Sequence, residues 1–225
     1  MDFLDWVRGP MLAVAIAVFL LGTAWRLWVL LRLPSASPAG RPRHDFGRWA
    51  ALQGAMRRFA VPKGFAPSAT LVTLNPYAFH IGLAVIVFGY APHIAFVRRL
   101  TGLSWPALPD PVMYIAAAVT IMSLLLALMF RLTDPVLRRI SRADDMITWT
   151  VTFLPLVTGM AVIGEPSAAL LARDHSIYRG PLALHLLSGE LLLVWFPFGK
   201  LMHAFLAVPA RMQLATFFGR RGVRT

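Results

Sequence analysis

The sequence predicts an all-α integral membrane protein, a single domain over residues 1–225 folded as a bundle of five transmembrane helices. Three observations lead to this prediction. The 225 residues are 58% hydrophobic and 14% charged, with a mean hydropathy of +0.65, whereas soluble domains carry about 25% charged residues. Five apolar stretches are long enough to cross a bilayer, which takes about 20 residues. Lys and Arg are also distributed unevenly among the connecting segments.

The five spans are expected at about residues 10–33, 77–97, 112–132, 146–164 and 182–208. The polar, Pro- and Gly-containing segments between them are typical of loops. Asp2 and Asp5 precede the first span. Because a signal peptide begins with basic residues and ends at a small-residue cleavage site, we expect this first span to be retained.

The positive-inside rule fixes the expected orientation. Fourteen basic residues fall on one side: Arg41, Arg43, Arg48, Arg57, Arg58, Lys63, Arg131, Arg138, Arg139, Arg142, Arg211, Arg220, Arg221 and Arg224. Five fall on the other: Arg8, Arg98, Arg99, Arg173 and Arg179. We therefore expect the N-terminus outside and the C-terminus in the cytoplasm, which requires an odd number of spans.

The longest loop, residues 34–74, contains a predicted amphipathic helix. Its apolar residues recur every three or four positions: Phe46, Trp49, Leu52, Met56 and Phe59. Arginines occupy most of the opposite face, so the segment is expected to lie on the inner leaflet as an anchor. A docking surface for a cytoplasmic partner is the alternative.

Composition excludes several classes of function. The chain has no cysteine, which excludes disulfides, thiolate nucleophiles and any iron–sulfur cluster held by this chain. The formal charge of +12 is explained by the positive-inside rule, so no nucleic-acid partner is expected. No phosphate-binding Gly-rich loop and no Ser–His–Asp arrangement is visible.

Histidines in two of the spans are the leading functional candidates, because ionisable residues within a membrane are costly. The second span contains His80 and His93, and the fifth contains His185 and His203. Since these spans run in opposite directions, His80 matches His203 in depth near the cytoplasm, and His93 matches His185 near the outer face.

Two histidine pairs stacked across a bilayer are the arrangement that a bis-histidine dihaem b cytochrome needs. Eighteen residues make five turns, which would place His185 and His203 on one helix face. The thirteen residues between His80 and His93 would point these two side chains about 140° apart on an ideal helix, although Pro92 can kink the helix there. Histidines hydrogen-bonded between helices, as in transporters, are the alternative. Zinc is disfavoured because each depth lacks further Cys, Asp or Glu ligands.

Several segments resemble the gamma subunit of respiratory nitrate reductase, a dihaem cytochrome b membrane anchor. The strongest match is the segment 185–203, whose terminal histidines enclose Phe196-Pro197-Phe198. Weaker matches are Phe79-His80-Ile81-Gly82, Ala143-Asp144-Asp145 and Thr158-Gly159. The resemblance covers about residues 75–215.

The resemblance implies two b-type haems, with His80 and His203 as ligands of the inner one. It implies that quinol is oxidised near the outer haem and that electrons pass inward to a cytoplasmic iron–sulfur or molybdenum-containing subunit. Related membrane subunits serve heterodisulfide-reductase-like and sulfite-reductase-linked complexes. The implied location is the inner (cytoplasmic) membrane, with the quinone pool and the lipid bilayer as further partners.

Two departures from the family pattern fall at the outer site. Tyr90 stands where the family has its second histidine, and His93, one turn later, is the predicted substitute ligand. The segment from Leu108 to Met113 lacks the lysine that serves the quinol site in nitrate reductases.

Other polar residues have predicted roles near these sites. Glu190 is a candidate acceptor of the quinol proton, since a carboxylate in apolar surroundings suits general-base work; pairing with a nearby polar group is the alternative. Asp110 is a weaker candidate in the outer loop. Arg26, Arg32 and Lys200 are candidate contacts for haem propionates, and snorkelling to the interface is the alternative for the arginines. His44 and His175 are expected in exposed loops.

Two other functions remain open from the sequence. One is a proton-coupled transporter that uses the intramembrane histidines and Glu190, which broken helices and inverted repeats would favour. The other is a membrane anchor with one haem or none. The sequence shows neither an inverted repeat nor an evident broken helix.

Overall fold

Helices make up all the regular structure in the part of the chain that is described. The computed structural model describes residues 2–33, 45–60, 66–163 and 176–223. The helices are α1 (Phe3–Arg32), α2 (Arg48–Arg57), α3 (Ala66–Gly89), α4 (Ala91–Thr101), α5 (Asp110–Thr133), α6 (Pro135–Ile140), α7 (Ala143–Met160), α8 (Ser176–Trp195) and α9 (His203–Gly219). The all-α prediction is confirmed for these residues.

Three of these helices are long and apolar enough to cross a membrane: α1, the Thr70–Gly89 part of α3, and α5. The segments Arg179–Trp195 and Lys200–Gly219 qualify together as a fourth span that is bent by 75°. The chain is therefore a multi-pass membrane protein with three or four candidate spans. Helix α7 covers the predicted fourth span but is not among these candidates.

Two of the predicted spans each fall on one continuous helix, and two others are interrupted. The third span coincides with α5, and the first falls on α1, which already begins at Phe3. The second span is interrupted at Tyr90, where α3 ends and α4 begins, and the fifth is interrupted between Trp195 and Lys200. Part of the predicted loop 34–74 is helical, since α3 already begins at Ala66.

The bundle packs in two groups of helices. In the first group, α3 lies against α5. Gly82 permits this contact, because a Cβ there would overlap the Thr120 hydroxyl and lie 3.2 Å from the Ala116 carbonyl oxygen. Asn75 and Ser123 join the same two helices: the Asn75 amide donates to the Ser123 carbonyl (3.0 Å), and the Ser123 hydroxyl donates to Asn75 Oδ1 (2.6 Å).

In the second group, α8 lies between α7 and α1. Leu4, Val7 and Ala183 form a buried apolar cluster at one end of this group. At the same end Arg179 donates from Nε to Asp2 Oδ2 (2.7 Å). The start of α1 and the start of α8 are therefore held together.

The predicted amphipathic helix exists as α2, and it has two apolar faces rather than one. Ala51, Gly54 and Ala55 are buried, and α2 packs against α9. Trp49, on the predicted leaflet face, is 70% exposed. Because small residues allow close helix contact, the second face docks α2 on the C-terminal helix, a partner that periodicity could not identify.

Candidate functional site

The break at Tyr90 reorients His93 relative to His80. Tyr90 is extended (φ −79°, ψ 127°), and Pro92 occupies the first turn of α4, where proline is tolerated. Backbone carbonyls freed at a break within a membrane need donors. The Trp105 indole nitrogen donates to the Phe88 carbonyl (2.5 Å), and the Leu108 amide donates to the Gly89 carbonyl (2.9 Å).

A second break, between Trp195 and Lys200, reorients His203 relative to His185. Pro197 lies within this break, and a Cβ at Gly199 would collide with the Trp195 indole ring. A short 3₁₀ turn at Lys200–Met202 then leads into α9. The expectation that His185 and His203 share one face of a continuous helix is therefore wrong.

The structure brings the four membrane histidines together in two pairs. His80 of α3 faces His203 of α9, with ring centres 5.8 Å apart and ring planes at 89°. His93 of α4 faces His185 of α8, with ring centres 6.2 Å apart and ring planes at 20°. These are the pairs that depth matching predicted. The 140° mismatch expected for His80 and His93 does not arise, because the break at Tyr90 separates them.

Each of the four imidazoles uses its Nδ1 atom in a local hydrogen bond. His80 Nδ1 lies 2.6 Å from the Pro76 carbonyl oxygen, and His93 Nδ1 lies 3.0 Å from that of Ile86. His203 Nδ1 lies 2.8 Å from the Lys200 carbonyl oxygen. A carbonyl oxygen can only accept, so Nδ1 carries the proton in these three rings. In the neutral form of each ring, Nε2 then has no proton and can bind a metal ion.

His185 is held by side chains as well. Its Nδ1 lies 3.3 Å from Thr158 Oγ1, which is 3.0 Å from Ser188 Oγ. The Ser188 hydroxyl in turn donates to the His185 carbonyl (2.7 Å). Gly159 makes room for the ring, since a Cβ there would lie 3.1 Å from His185 Cε1. This network orients the ring from the α7 side.

The histidine pairs bridge helices that do not otherwise pack closely in the described part of the chain. Helix α3 packs on α5 and α4, and α8 packs on α7 and α1, but α3 and α8 form no close interface with each other. His80 and His203 are exposed, while His93 and His185 are half-buried. The two helix groups are joined through α5 and α7, and the imidazole pairs link α3 to α9 and α4 to α8.

Each histidine pair offers two candidate metal ligands among the described residues. Among the described residues, no group of three or more His, Cys, Asp or Glu side chains lies close enough to hold a metal ion. The pairs would need further ligands from a group that is not part of the chain. His44 and His175 lie outside the described residues.

The two predicted acidic residues have different surroundings. Glu190 of α8 is 4% exposed, and neither of its carboxyl oxygens has a hydrogen-bond partner. Asp110 is the first residue of α5 and is exposed. A carboxylate at this position interacts favourably with the helix dipole, which gives Asp110 a structural role at the helix start.

The candidate propionate contacts also differ from one another. Arg26 and Arg32 are exposed, and the Arg32 guanidinium lies over the Trp28 ring at 5.3 Å. Lys200 instead forms a short ion pair with Asp145, the third residue of α7. Sequence spacing could not reveal this contact, because the two residues are 55 positions apart.

Asp145 is paired with groups from three parts of the chain. Besides Lys200, its Oδ1 atom lies 3.2 Å from Arg131 Nη1, and its Oδ2 atom accepts from the Arg142 amide (2.9 Å). The hydrogen bond from Lys200 lowers the pKa of this carboxyl, and it outweighs the effect of burial, which raises the pKa. Sequence reasoning singled out Asp144 and Asp145 as a motif but assigned them no role.

An open cleft of about 460 Å³ lies beside the His93 helix. Its lining includes Ala91, Ile94, Ala95, Arg98, Arg99 and Trp105. This is the region where the sequence predicted the outer quinol site. The indole of Trp105 therefore both closes the Tyr90 break and forms a wall of the cleft.

Comparison with known proteins gives a distant relative. No protein-family model matches the chain. The chain is 29% identical over 227 residues to a protein of Nitratidesulfovibrio vulgaris, and the match covers 98% of this chain and 96% of the relative. That relative is named only "Protein". The similarity therefore covers almost the whole of both chains, and the name of the relative indicates no activity.

Proposed function

We propose that this chain is a dihaem b-type cytochrome, the membrane subunit of an oxidoreductase complex. It oxidises quinol near the outer face and delivers electrons to a cytoplasmic iron–sulfur or molybdenum-containing partner. The complex is of the nitrate reductase or heterodisulfide reductase kind, in the cytoplasmic membrane. The resemblance of segment 185–203 to the nitrate reductase gamma subunit supports this proposal.

The observation that carries the proposal is the separation of the histidine rings. An imidazole nitrogen lies about 1.2 Å from its ring centre, and a metal–imidazole bond is about 2.0 Å long. Two rings that bind one ion from opposite sides therefore have centres about 6.4 Å apart. The pairs at 5.8 and 6.2 Å come close to this separation.

The chemistry of the donors also fits haem. A haem group would need two nitrogen ligands from the chain for its iron. Pairs of histidines without a third ligand satisfy this requirement, whereas a zinc site would need more protein ligands. When bound, haem supplies a one-electron redox couple. The chain contributes His80 and His203 at one level, and His93 and His185 at the other.

The hydrogen bonds at Nδ1 fix the state of the ligands. Because the Pro76, Ile86 and Lys200 carbonyls hold the proton on Nδ1, Nε2 is left as the electron-pair donor. Such partners also hold the ring in place and raise its basicity. The Thr158–Ser188 network restrains His185 in the same way.

We propose five spans, with α7 from Met146 onward as the fourth and α8 alone as the fifth. The 20 residues of α8 extend about 30 Å, the thickness of the hydrocarbon core. Helix α9, bent by 75° from α8, then lies along the cytoplasmic surface with α2. The surplus of basic residues on this side supports the orientation with the N-terminus outside.

Glu190, five residues after His185 on α8, is the proposed acceptor of the quinol proton. Its two carboxyl oxygens have no other partner and are buried, so they remain available to a donor. The cleft beside α4 is the proposed entrance for quinol. Trp105 and the apolar side chain of Ile94 would contact a hydrophobic ring there.

One observation favours a second function, a proton-coupled transporter. Broken helices are typical of transporter sites, and the structure has breaks at Tyr90 and at Phe196–Gly199. Each break also directs a histidine toward the ring with which it pairs. The breaks therefore fit haem binding as well as transport. The two functions differ in whether the purified protein binds haem.

The test is the haem content of the full chain, expressed with haem supply and measured as pyridine haemochrome per protein. The proposal predicts two haems per chain, and two components in a redox titration that are reduced by a quinol analogue. One haem would reduce the function to a single-haem anchor. Absence of haem, together with proton-coupled solute uptake in vesicles, would replace the proposal with the transporter.

A further inference from the structure

A buried carboxylate connects three segments at the proposed cytoplasmic end of the bundle. The Asp145 side chain is 5% exposed, whereas those of Arg131 and Lys200 are 33% and 52% exposed. Arg131 belongs to the end of α5, Asp145 to the start of α7, and Lys200 to the turn before α9. One negative charge therefore holds two cations from distant parts of the chain.

A second contact from α7 holds the other side of the same break. The indole nitrogen of Trp195, the last residue of α8, donates to the Thr148 hydroxyl (3.0 Å). Asp145 and Thr148 are three residues apart and so share one face of α7. That face contacts both residues that flank the break, Trp195 and Lys200. We call these four residues the α7 clamp.

The α7 clamp is connected to His203 through the backbone of Lys200. Lys200 begins the 3₁₀ turn, and its carbonyl oxygen lies 2.8 Å from His203 Nδ1. The Lys200 side chain is fixed by Asp145, while its main chain fixes the imidazole. The path from Asp145 to His203 therefore passes through one residue.

Other packing around the break restrains a different part of it. Phe196 packs edge-to-face on Phe19 of α1, with ring centres 5.1 Å apart. A Cβ on Gly22 would lie 2.7 Å from Pro197, so this stretch of α1 lies directly against the break. These contacts hold the break against α1, whereas the α7 clamp holds Trp195 and Lys200 at its two ends.

We propose that Asp145 is a positioning residue for His203, acting through Lys200 to fix the turn from which the imidazole projects. The positioning is a property of the chain itself. Its consequence for a bound haem rests on the proposed function above. If the ion pair were purely stabilising, its removal would lower the overall stability without changing this turn selectively.

The experiment measures amide hydrogen exchange and redox behaviour in the full-length protein in detergent. Asp145→Asn removes the charge and keeps the shape, and Lys200→Met removes its partner. Lys200→Arg keeps the ion pair. Asp144→Asn is the matched control, because that carboxylate is 41% exposed and lies 4.0 Å from Lys200.

Asp145→Asn and Lys200→Met are expected to accelerate exchange in residues 199–203 about tenfold, as local opening of the turn becomes easier. Amides elsewhere in α7 and α8 that exchange through local opening should remain near the wild-type rate. In the haem-loaded protein the same variants should shift one of two redox components. Lys200→Arg and Asp144→Asn should behave like the wild type in both measurements.

Two results would overturn the positioning role. One is equal exchange at residues 199–203 in Asp145→Asn and Asp144→Asn. The other is acceleration spread evenly over the bundle, which would show general destabilisation. A wild-type protein without haem would overturn the proposed function, and the exchange comparison would still decide the role of Asp145.

Discussion

Replacing Asp145 with Asn should destabilise the fold by about 2 kcal/mol at pH 7. Removing one partner of a buried ion pair costs about 3–5 kcal/mol. Here the cations left behind are 33% and 52% exposed, so water solvates them in the variant, and we reduce the cost by about half. Asn can still accept the Arg142 amide, so the change isolates the charge. It corresponds to a roughly thirtyfold change in the unfolding equilibrium.

The same substitution makes a prediction about pH. Lys200 holds the pKa of Asp145 below the ordinary value of 3.8. A carboxyl with a lowered pKa in the folded state contributes stability that is fully present above the unfolded value and lost as pH falls through the folded one. The difference between wild type and Asp145→Asn should therefore be largest near neutral pH and shrink below about pH 4.

The assay is reversible unfolding in mixed micelles, titrated with a denaturing detergent at neutral pH and at about pH 3. Asp144→Asn serves as the control for removing an exposed carboxylate. Equal stability of Asp145→Asn and wild type at neutral pH would refute the reasoning. A difference that stays constant down to the acid limit would show that the loss does not come from charge.

Two glycine substitutions test the close contacts. Gly82→Ala should cost about 1–3 kcal/mol through overpacking, because the new Cβ would overlap the Thr120 hydroxyl; an unchanged thermal midpoint would contradict the close contact of α3 and α5. Gly159→Ala should displace the His185 ring, whose Cε1 would lie 3.1 Å from the new Cβ. The absorption spectrum of the haem bound by His93 and His185 should change, and that of the haem bound by His80 and His203 should not. A change in both spectra would count against two separate sites.

The histidine pairs could be predicted from the sequence because depth in a membrane follows from position along a span. When two antiparallel spans carry two histidines each, depth allows only one way to pair them. The structure contains these pairs, His80 with His203 and His93 with His185. Ring orientation could not be predicted in the same way. It depends on the breaks at Tyr90 and between Trp195 and Lys200, whereas the prediction assumes straight helices.

The breaks themselves left a signal in the sequence. Pro92 and Pro197 were visible, and a proline within a span is a natural point of interruption. What the sequence could not supply was the set of donors that satisfies the interrupted backbone. Trp105 donates to Phe88 from 17 residues away, a contact that the fold brings about.

The polar contacts between helices were the least predictable part. Lys200 was expected to be available to a propionate, and it is instead paired with Asp145. The docking of α2 on α9 was hidden for a similar reason. Ala51 and Ala55 are too small to mark a face by hydropathy, although small residues allow the closest helix contacts.

The most direct test of the central proposal is haem content in four single variants, His80→Ala, His93→Ala, His185→Ala and His203→Ala. The account predicts two haems per chain in the wild type and one in each variant. His80→Ala and His203→Ala should lose one spectral component, and His93→Ala and His185→Ala should lose the other. Loss of different components within a pair, or two haems remaining in any variant, would contradict the pairing.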